Sequence, residues 1–316
     1  MKSLVTISIG LAFVVLLILP SFLRSNEKHR PEVGNVNWSR DFEGTLAASK
    51  QSGKPVFVLF QEVPGCQGCR DFGQTVLTNP QIVEAIESLF EPVLVHNNAG
   101  GKDAEILKRY KEPAWNYQVV RFLDAEGKDI IPRRDRVWTT PALAARMVAA
   151  LAESGRPVPN YLRALAATAS SEVGIAAFAM FCFWTGEQRL GGINGVLTTE
   201  AGWFDGREVT LVRFNRDKIP FNTLVKKAES FDCAHKVFTT TTEDAIVVAK
   251  SRLQQAALTD SYRVAKKSDQ KRQLPGTPFQ DLELSPGQAT KVNAFARSNP
   301  DLAAAWLSPR QRSSLN

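Results

Sequence analysis

The tightest constraint on this chain is a succession of three features: an unbroken apolar run, Pro55-Val56-Phe57-Val58-Leu59-Phe60, a short loop, Val63-Pro64-Gly65, and two cysteines three apart, Cys66 and Cys69. Apolar residues in a row, without alternation, describe a strand covered on both faces. The cysteines arrive where the chain turns into a helix expected to run through Val76. There the first thiol faces the free N–H groups of a helix start, which favour a thiolate, the form that attacks disulfides. The same spacing also suits an inert structural disulfide or half of a metal site.

The surroundings alternate helices with strands. Ser39 is placed to cap a helix over residues 39–51, with Gly53 as a left-handed stop. Asn79-Pro80 opens a second helix, since proline suits the first helical position. Residues 92–95 and 119–123 read as further strands, and Asp124-Ala125-Glu126-Gly127 is turn chemistry leading to a hairpin partner at 128–131. A helix over 141–152 closes an α/β layered unit. Residues 154–172 then read as a linker. Beyond it come strands at 175–181, 196–202, 208–214 and 236–240, with helices at 223–229 and 243–258. Ser285-Pro286-Gly287-Gln288 has the spacing of a capping box.

A length of 316 residues gives room for about two domains, and 44% hydrophobic residues are enough for real cores. The net charge of +7 is spread along the chain. Lys266-Lys267 and Lys271-Arg272 read as solvated helix faces, and no aromatic-rich basic motif points to nucleic acid. Four cysteines and three histidines are too few, and wrongly spaced, for a disulfide scaffold or a four-ligand zinc site. No metal and no cofactor are expected. At the start, residues 4–23 are apolar except for Thr6, Ser8, Pro20 and Ser21, close to the ~20 residues that cross a bilayer. This is a signal anchor or signal peptide. The charges Arg24, Lys28 and Arg30 point the bulk of the chain to the cytoplasm, whereas signal-like starts on thiol-redox chains point outward. A membrane-anchored, extracytoplasmic protein is the expectation.

Over residues 36–152 the chain resembles the thioredoxin superfamily. Asn37-Trp38, Gly53-Lys54-Pro55-Val56-Phe57-Val58, the Cys66–Cys69 pair and Phe122-Leu123-Asp124-Ala125-Glu126-Gly127-Lys128 carry the resemblance. It implies Cys66 as attacking thiol and Cys69 as resolving thiol. Gly65-Cys66-Gln67-Gly68-Cys69 replaces the usual Trp-Cys-Gly-Pro-Cys, and the nearest match to the family's cis-proline is Gln118.

The stretch Ala177-Phe178-Ala179-Met180-Phe181-Cys182-Phe183-Trp184-Thr185-Gly186-Glu187 resembles the active-site segment of A-class peptide methionine sulfoxide reductases. The match continues through Gly195-Val196-Leu197-Thr198-Thr199, Ala201-Gly202-Trp203, Glu208-Val209 and Val212-Arg213-Phe214-Asn215. The resemblance implies Cys182 as nucleophile on the sulfoxide sulfur and Phe183 and Trp184 around the substrate methyl. Glu208 would supply a proton or hydrogen bond to the sulfoxide oxygen. Glu187 reads as a helix-surface residue. Phe181 stands where the family has glycine, one loop is shortened to residues 204–207, and the family's C-terminal resolving cysteines are missing. Cys233 is then a replacement resolver or an incidental loop thiol, with recycling by Cys66 and Cys69 as the other route.

The expected organisation is a signal anchor or signal peptide (1–24), a linker (25–36), a thioredoxin-like domain (37–153), a linker (154–172), an α+β sulfoxide-reductase-A-like domain of ferredoxin-like sandwich type (173–297) and a tail (298–316). The expected partners are oxidised methionine in peptides or proteins, a thiol reductant or upstream thioredoxin-type donor, and the membrane, with no nucleic acid. The leading expectation is sulfoxide reduction recycled by the fused thioredoxin-like unit. The alternatives are a thiol-disulfide oxidoreductase or isomerase whose second domain only binds clients, and a non-catalytic scaffold.

Overall fold

The computed structural model describes residues 30–115, 118–169 and 172–315. The anchor expected over residues 1–24 lies outside them, and among the described residues no helix is long and apolar enough to cross a membrane.

The first unit runs α1 (Phe42–Ser52), β1 (Val56–Gln61), α2 (Gln67–Thr75), α3 (Pro80–Leu89), β2 (Glu91–His96), α4 (Lys102–Tyr110), β3 (Val119–Leu123), α5 (Thr140–Glu153) and α6 (Asn160–Leu165). The α1 cap is Asp41, whose carboxylate accepts the Gly44 N–H at 3.1 Å. Ser39, expected there, is instead taken by the sheet, its N–H bonding Pro92 O at 3.1 Å. Gly53 ends α1 at φ 68°, the left-handed conformation that glycine adopts without steric cost. The strands lie in the order β2-β1-β3, with β2 parallel and β3 antiparallel to β1. The hairpin strand expected at 128–131 is reduced to one bridge, Leu123 with Asp129.

Every residue of β1 is buried. Phe57 and Leu59 join a core with α3, α5 and α6, while Val56, Val58 and Phe60 pack against α1 and α4. The period-2 alternation of side chains thus serves two apolar cores at once. The stretch expected as a linker at 154–172 holds α6, whose Tyr161 and Leu162 belong to the first of these cores. Part of the other expected linker is also packed: Glu32, Val33 and Val36 are buried, and the Trp38 indole donates to Val33 O at 2.9 Å.

The second unit runs β4 (Val173–Ala179), α7 (Phe183–Gly191), β5 (Val196–Phe204), β6 (Arg207–Asn215), α8 (Phe221–Ser230), β7 (Lys236–Thr239), α9 (Thr242–Ala249), β8 (Gln254–Ala257) and β9 (Arg263–Val264). Its sheet has the order β8-β7-β4-β6-β5-β9. Within it, β4-α7-β5-β6-α8-β7 forms a split βαβ unit with antiparallel neighbours in the order β7-β4-β6-β5. The helix expected over 243–258 stops at Ala249. There the Ser251 hydroxyl bonds back to Val248 O, the Glu229 carboxylate takes the Arg252 N–H, and the chain returns as β8 parallel to β7.

Three helices close the chain: α10 (Pro286–Phe295), α11 (Pro300–Ala304) and α12 (Pro309–Ser313). The capping box at Ser285 and Gln288 is present. The segment expected as a tail is therefore structured, with Leu307 only 1% exposed. Helix α10 joins the two units, packing on both α6 and α7. Gly287 makes the approach possible, because a Cβ there would lie 2.4 Å from Ala164 O. Across the same seam the Gln81 amide donates to Gln288 Oε1, and the Arg310 N–H to Glu84 Oε1 at 2.9 Å.

Candidate functional site

The loop between β1 and α2 is held from every side. The Glu32 carboxylate accepts the Gly65 N–H at 3.0 Å, and Arg70 donates to Gly65 O at 2.7 Å. Asn98 brackets the cis Val63–Pro64 peptide, accepting from Val63 N–H and donating to Pro64 O, each at 3.1 Å. From the end of β1, Gln61 reaches under the loop and donates to Glu32 O at 2.5 Å and to Cys69 O at 3.1 Å. Gly65 has no room for a side chain, since a Cβ would lie 2.7 Å from the Cβ of Cys69.

On this mount Cys66 is exposed at the N-cap of α2, and Cys69 is buried one turn into it. Their sulfurs are 3.7 Å apart. Burial is the main cause that pushes the Cys69 thiol up to about 11, opposed by a hydrogen bond from the Glu62 backbone. Glu62 itself is half-buried, and a carboxylate oxygen of it lies within 4.8 Å of both sulfurs. Glu32, Gln61, Glu62 and Asn98 were not singled out by the sequence pattern. The available signal was the polar Gln61-Glu62 pair that ends an otherwise apolar run directly before the cysteines. Gln118, the nearest match to the family's cis-proline, is a buried residue whose side-chain oxygen has no hydrogen-bond partner among the described residues.

A second cluster forms where β4 leads into α7. Cys182 is half-buried at the N-cap of α7 in an extended backbone conformation. Glu208, near the start of β6, accepts the N–H of Phe183 at 2.9 Å, so the resemblance-implied nucleophile and acid are brought to the same helix end. Phe183 is buried against Trp184 and Trp203, with ring centroids 6.0 and 5.6 Å away, while Phe181 is 99% exposed.

Two readings need correction. Glu187 is not a helix-surface residue: it is fully buried, and its carboxylate accepts from the Lys271 ammonium and, at 2.7 Å, from the Lys271 N–H. A lone carboxylate buried there would be costly, and the lysine offsets that. The same bond removes Lys271 from the solvated faces. Cys233 does lie in the loop between α8 and β7, but its side chain is turned into the core. It is 1% exposed in the core beside Phe178 and Val237, and burial raises its thiol above the ordinary range.

Comparison with known proteins places a thioredoxin-like family match over residues 37–125, which covers β1, the dithiol loop and β3. Among solved structures the chain is similar to one described as DsbH oxidoreductase, at 22% identity over 40% of this chain and 93% of that one, with a TM-score of 0.33. No curated protein matches the chain. The chain thus carries a thioredoxin-like domain within a mixed α/β molecule.

Proposed function

We propose that the thioredoxin-like domain makes this chain a thiol-disulfide oxidoreductase. The observation that carries the reading is the exposed Cys66 at a helix start, 3.7 Å from a buried Cys69. In the reductive direction the Cys66 thiolate attacks a client disulfide, forms a mixed disulfide and releases one client thiolate, which takes up a proton. Cys69 then loses its proton and attacks the Cys66 sulfur, releasing the second client thiol and leaving a Cys66–Cys69 disulfide. Two electrons pass to the client, and an upstream thiol donor returns them. Its buried position makes Cys69 the natural resolving thiol, because only the internal disulfide has access to it. The expected setting is extracytoplasmic and membrane-tethered. The test is insulin disulfide reduction with dithiothreitol as donor. Cys66→Ser should abolish the catalysed rate, and a rate unchanged by that substitution overturns the reading.

A second reading is favoured by the junction of Cys182 and Glu208 at the start of α7: reduction of methionine sulfoxide in peptides or proteins. The Cys182 thiol would attack the sulfoxide sulfur and take its oxygen, leaving methionine and a sulfenic acid. A second thiol then forms a disulfide with Cys182 and releases water. Cys233 is poorly placed to be that thiol because it is sealed in the core, which leaves Cys66 and Cys69, or an external thiol, for recycling. Turnover of a methionine-S-sulfoxide peptide with dithiothreitol, abolished by Cys182→Ser, supports this reading; no turnover by the intact chain removes it.

A further inference from the structure

A carboxylate four residues before a CxxC is far in sequence from any metal pattern made of paired cysteines. The fold nevertheless sets it beside both sulfurs. Glu62 directly follows β1, Cys66 caps α2, and Cys69 lies one turn further on. One ligand atom from each of the three lies within 4.8 Å of the other two. A tetrahedral zinc ion with bonds of about 2.3 Å to sulfur holds two thiolates about 3.8 Å apart. The observed sulfur separation is 3.7 Å, so the pair needs no rearrangement. The carboxylate has to close in by at most about 1.2 Å to reach its usual bond length of about 2.0–2.2 Å.

We propose that Glu62, Cys66 and Cys69 form a three-ligand site for a thiophilic divalent cation of the zinc class, with the fourth position open to solvent or to a client atom. Two sulfurs and one oxygen suit a borderline-soft ion, and three protein ligands with one vacancy is the open geometry. The supporting bonds are already made: Gln61 holds Cys69 O, while Glu32 and Arg70 hold both sides of Gly65. Exposed Cys66 gives the ion its route in. Binding takes both sulfurs as thiolates and displaces the protons they carry, with no change of oxidation state. Oxidation draws the sulfurs to about 2.05 Å and removes both as ligands. Occupancy is therefore gated by the redox state of the pair, and a bound ion blocks disulfide exchange until it leaves.

The inference goes beyond disulfide exchange and is tested apart from it. The reduced full chain is titrated anaerobically with Zn2+ against a chromophoric chelator, and with Co2+ as a spectroscopic probe. The expected result is one tight equivalent and sulfur-to-cobalt charge-transfer absorption with the intense visible bands of a tetrahedral ion. Prior oxidation should abolish binding without any substitution, so the control survives even if Cys66→Ser or Cys69→Ser fails to fold. Cys182→Ser should leave the titration unchanged. Glu62→Gln should weaken zinc by about 10-fold or more, since losing even an outer group that supports a ligand costs that much, while the count of reactive thiols stays the same. Absence of a tight equivalent, binding indifferent to oxidation, or an affinity unaltered by Glu62→Gln overturns the proposal.

Discussion

Cys69 and Glu187 are two residues at which burial matters to the fold, each in a different way. In the unfolded chain a cysteine ionises near about 8.5, whereas burial holds Cys69 neutral up to about 11. A raised thiol value favours the fold while the group is protonated. Its contribution is whole below the unfolded value and drains as pH climbs toward the folded one. The melting temperature of the reduced protein should therefore exceed that of Cys69→Ala by a margin that narrows between about pH 8.5 and 11. Calorimetry over that range checks it, and a constant margin would contradict it. At Glu187 the buried carboxylate depends on Lys271. Lys271→Ala should cost about 3–5 kcal/mol in chemical denaturation, and joint replacement of both residues by methionine should cost clearly less than the sum of the single changes.

At the scale of elements, what was legible in the sequence followed from strong local signals. The run before Cys66 gave β1 because six buried residues leave no polar face to read otherwise. Asn79-Pro80 and Ser285-Pro286 gave helix starts because caps act through bonds within a single turn. Helix α4 was missed because only Asp103 and Leu107 of it are buried, too few for an apolar stripe. Helix α10 carries Gln288, Thr290, Lys291 and Asn293 in its interior, so polarity misleads about burial there. The buried heads are held by bonds to distant segments: Lys291 donates to Gly191 O and Ile193 O at 2.8 Å, and Asn293 Oδ1 accepts the Gln273 N–H at 2.9 Å, although its Nδ2 has no partner among the described residues. The close contact of α10 with α6 should make Gly287→Ala destabilising by about 1–3 kcal/mol, the range for overpacking. Equilibrium unfolding in urea measures it, and a neutral result would mean that the helices can separate freely. The dithiol loop was legible only in its cysteines, whereas Glu208 beside Cys182 was reached through the resemblance. Glu32, Gln61 and Asn98 act through contacts made by distant segments, which no local pattern encodes.

Across the whole molecule the two units are fastened by the chain's last helices as much as by α10. Arg310 donates to Glu84 of α3, while Gln288 bonds both Trp306 O and the Gln311 side chain. Removing residues 298–316 would strip these bonds and uncover Gln81 and Gln288. The intact chain should melt in one transition and the shortened one in two, with the second unit melting first. Calorimetry of both forms, with the tryptophans of the second unit as a fluorescence reporter, decides between them. A single transition in each would show that the seam transmits cooperativity without the C-terminal helices.

The packing of residues 31–36 under the dithiol loop has one more implication. The carbonyl of Pro31 lies so close to α2 that a Cβ on Gly73 would come within 1.9 Å of it, and Glu32 grips the loop itself. The chain therefore enters the folded body at the foot of the reactive sulfurs, not at the far pole. A client that reaches Cys66 therefore meets a loop whose brace comes from the first described turn of the chain. A protease cutting ahead of Pro31 would leave that brace in place; one cutting past Glu32 would pull it away.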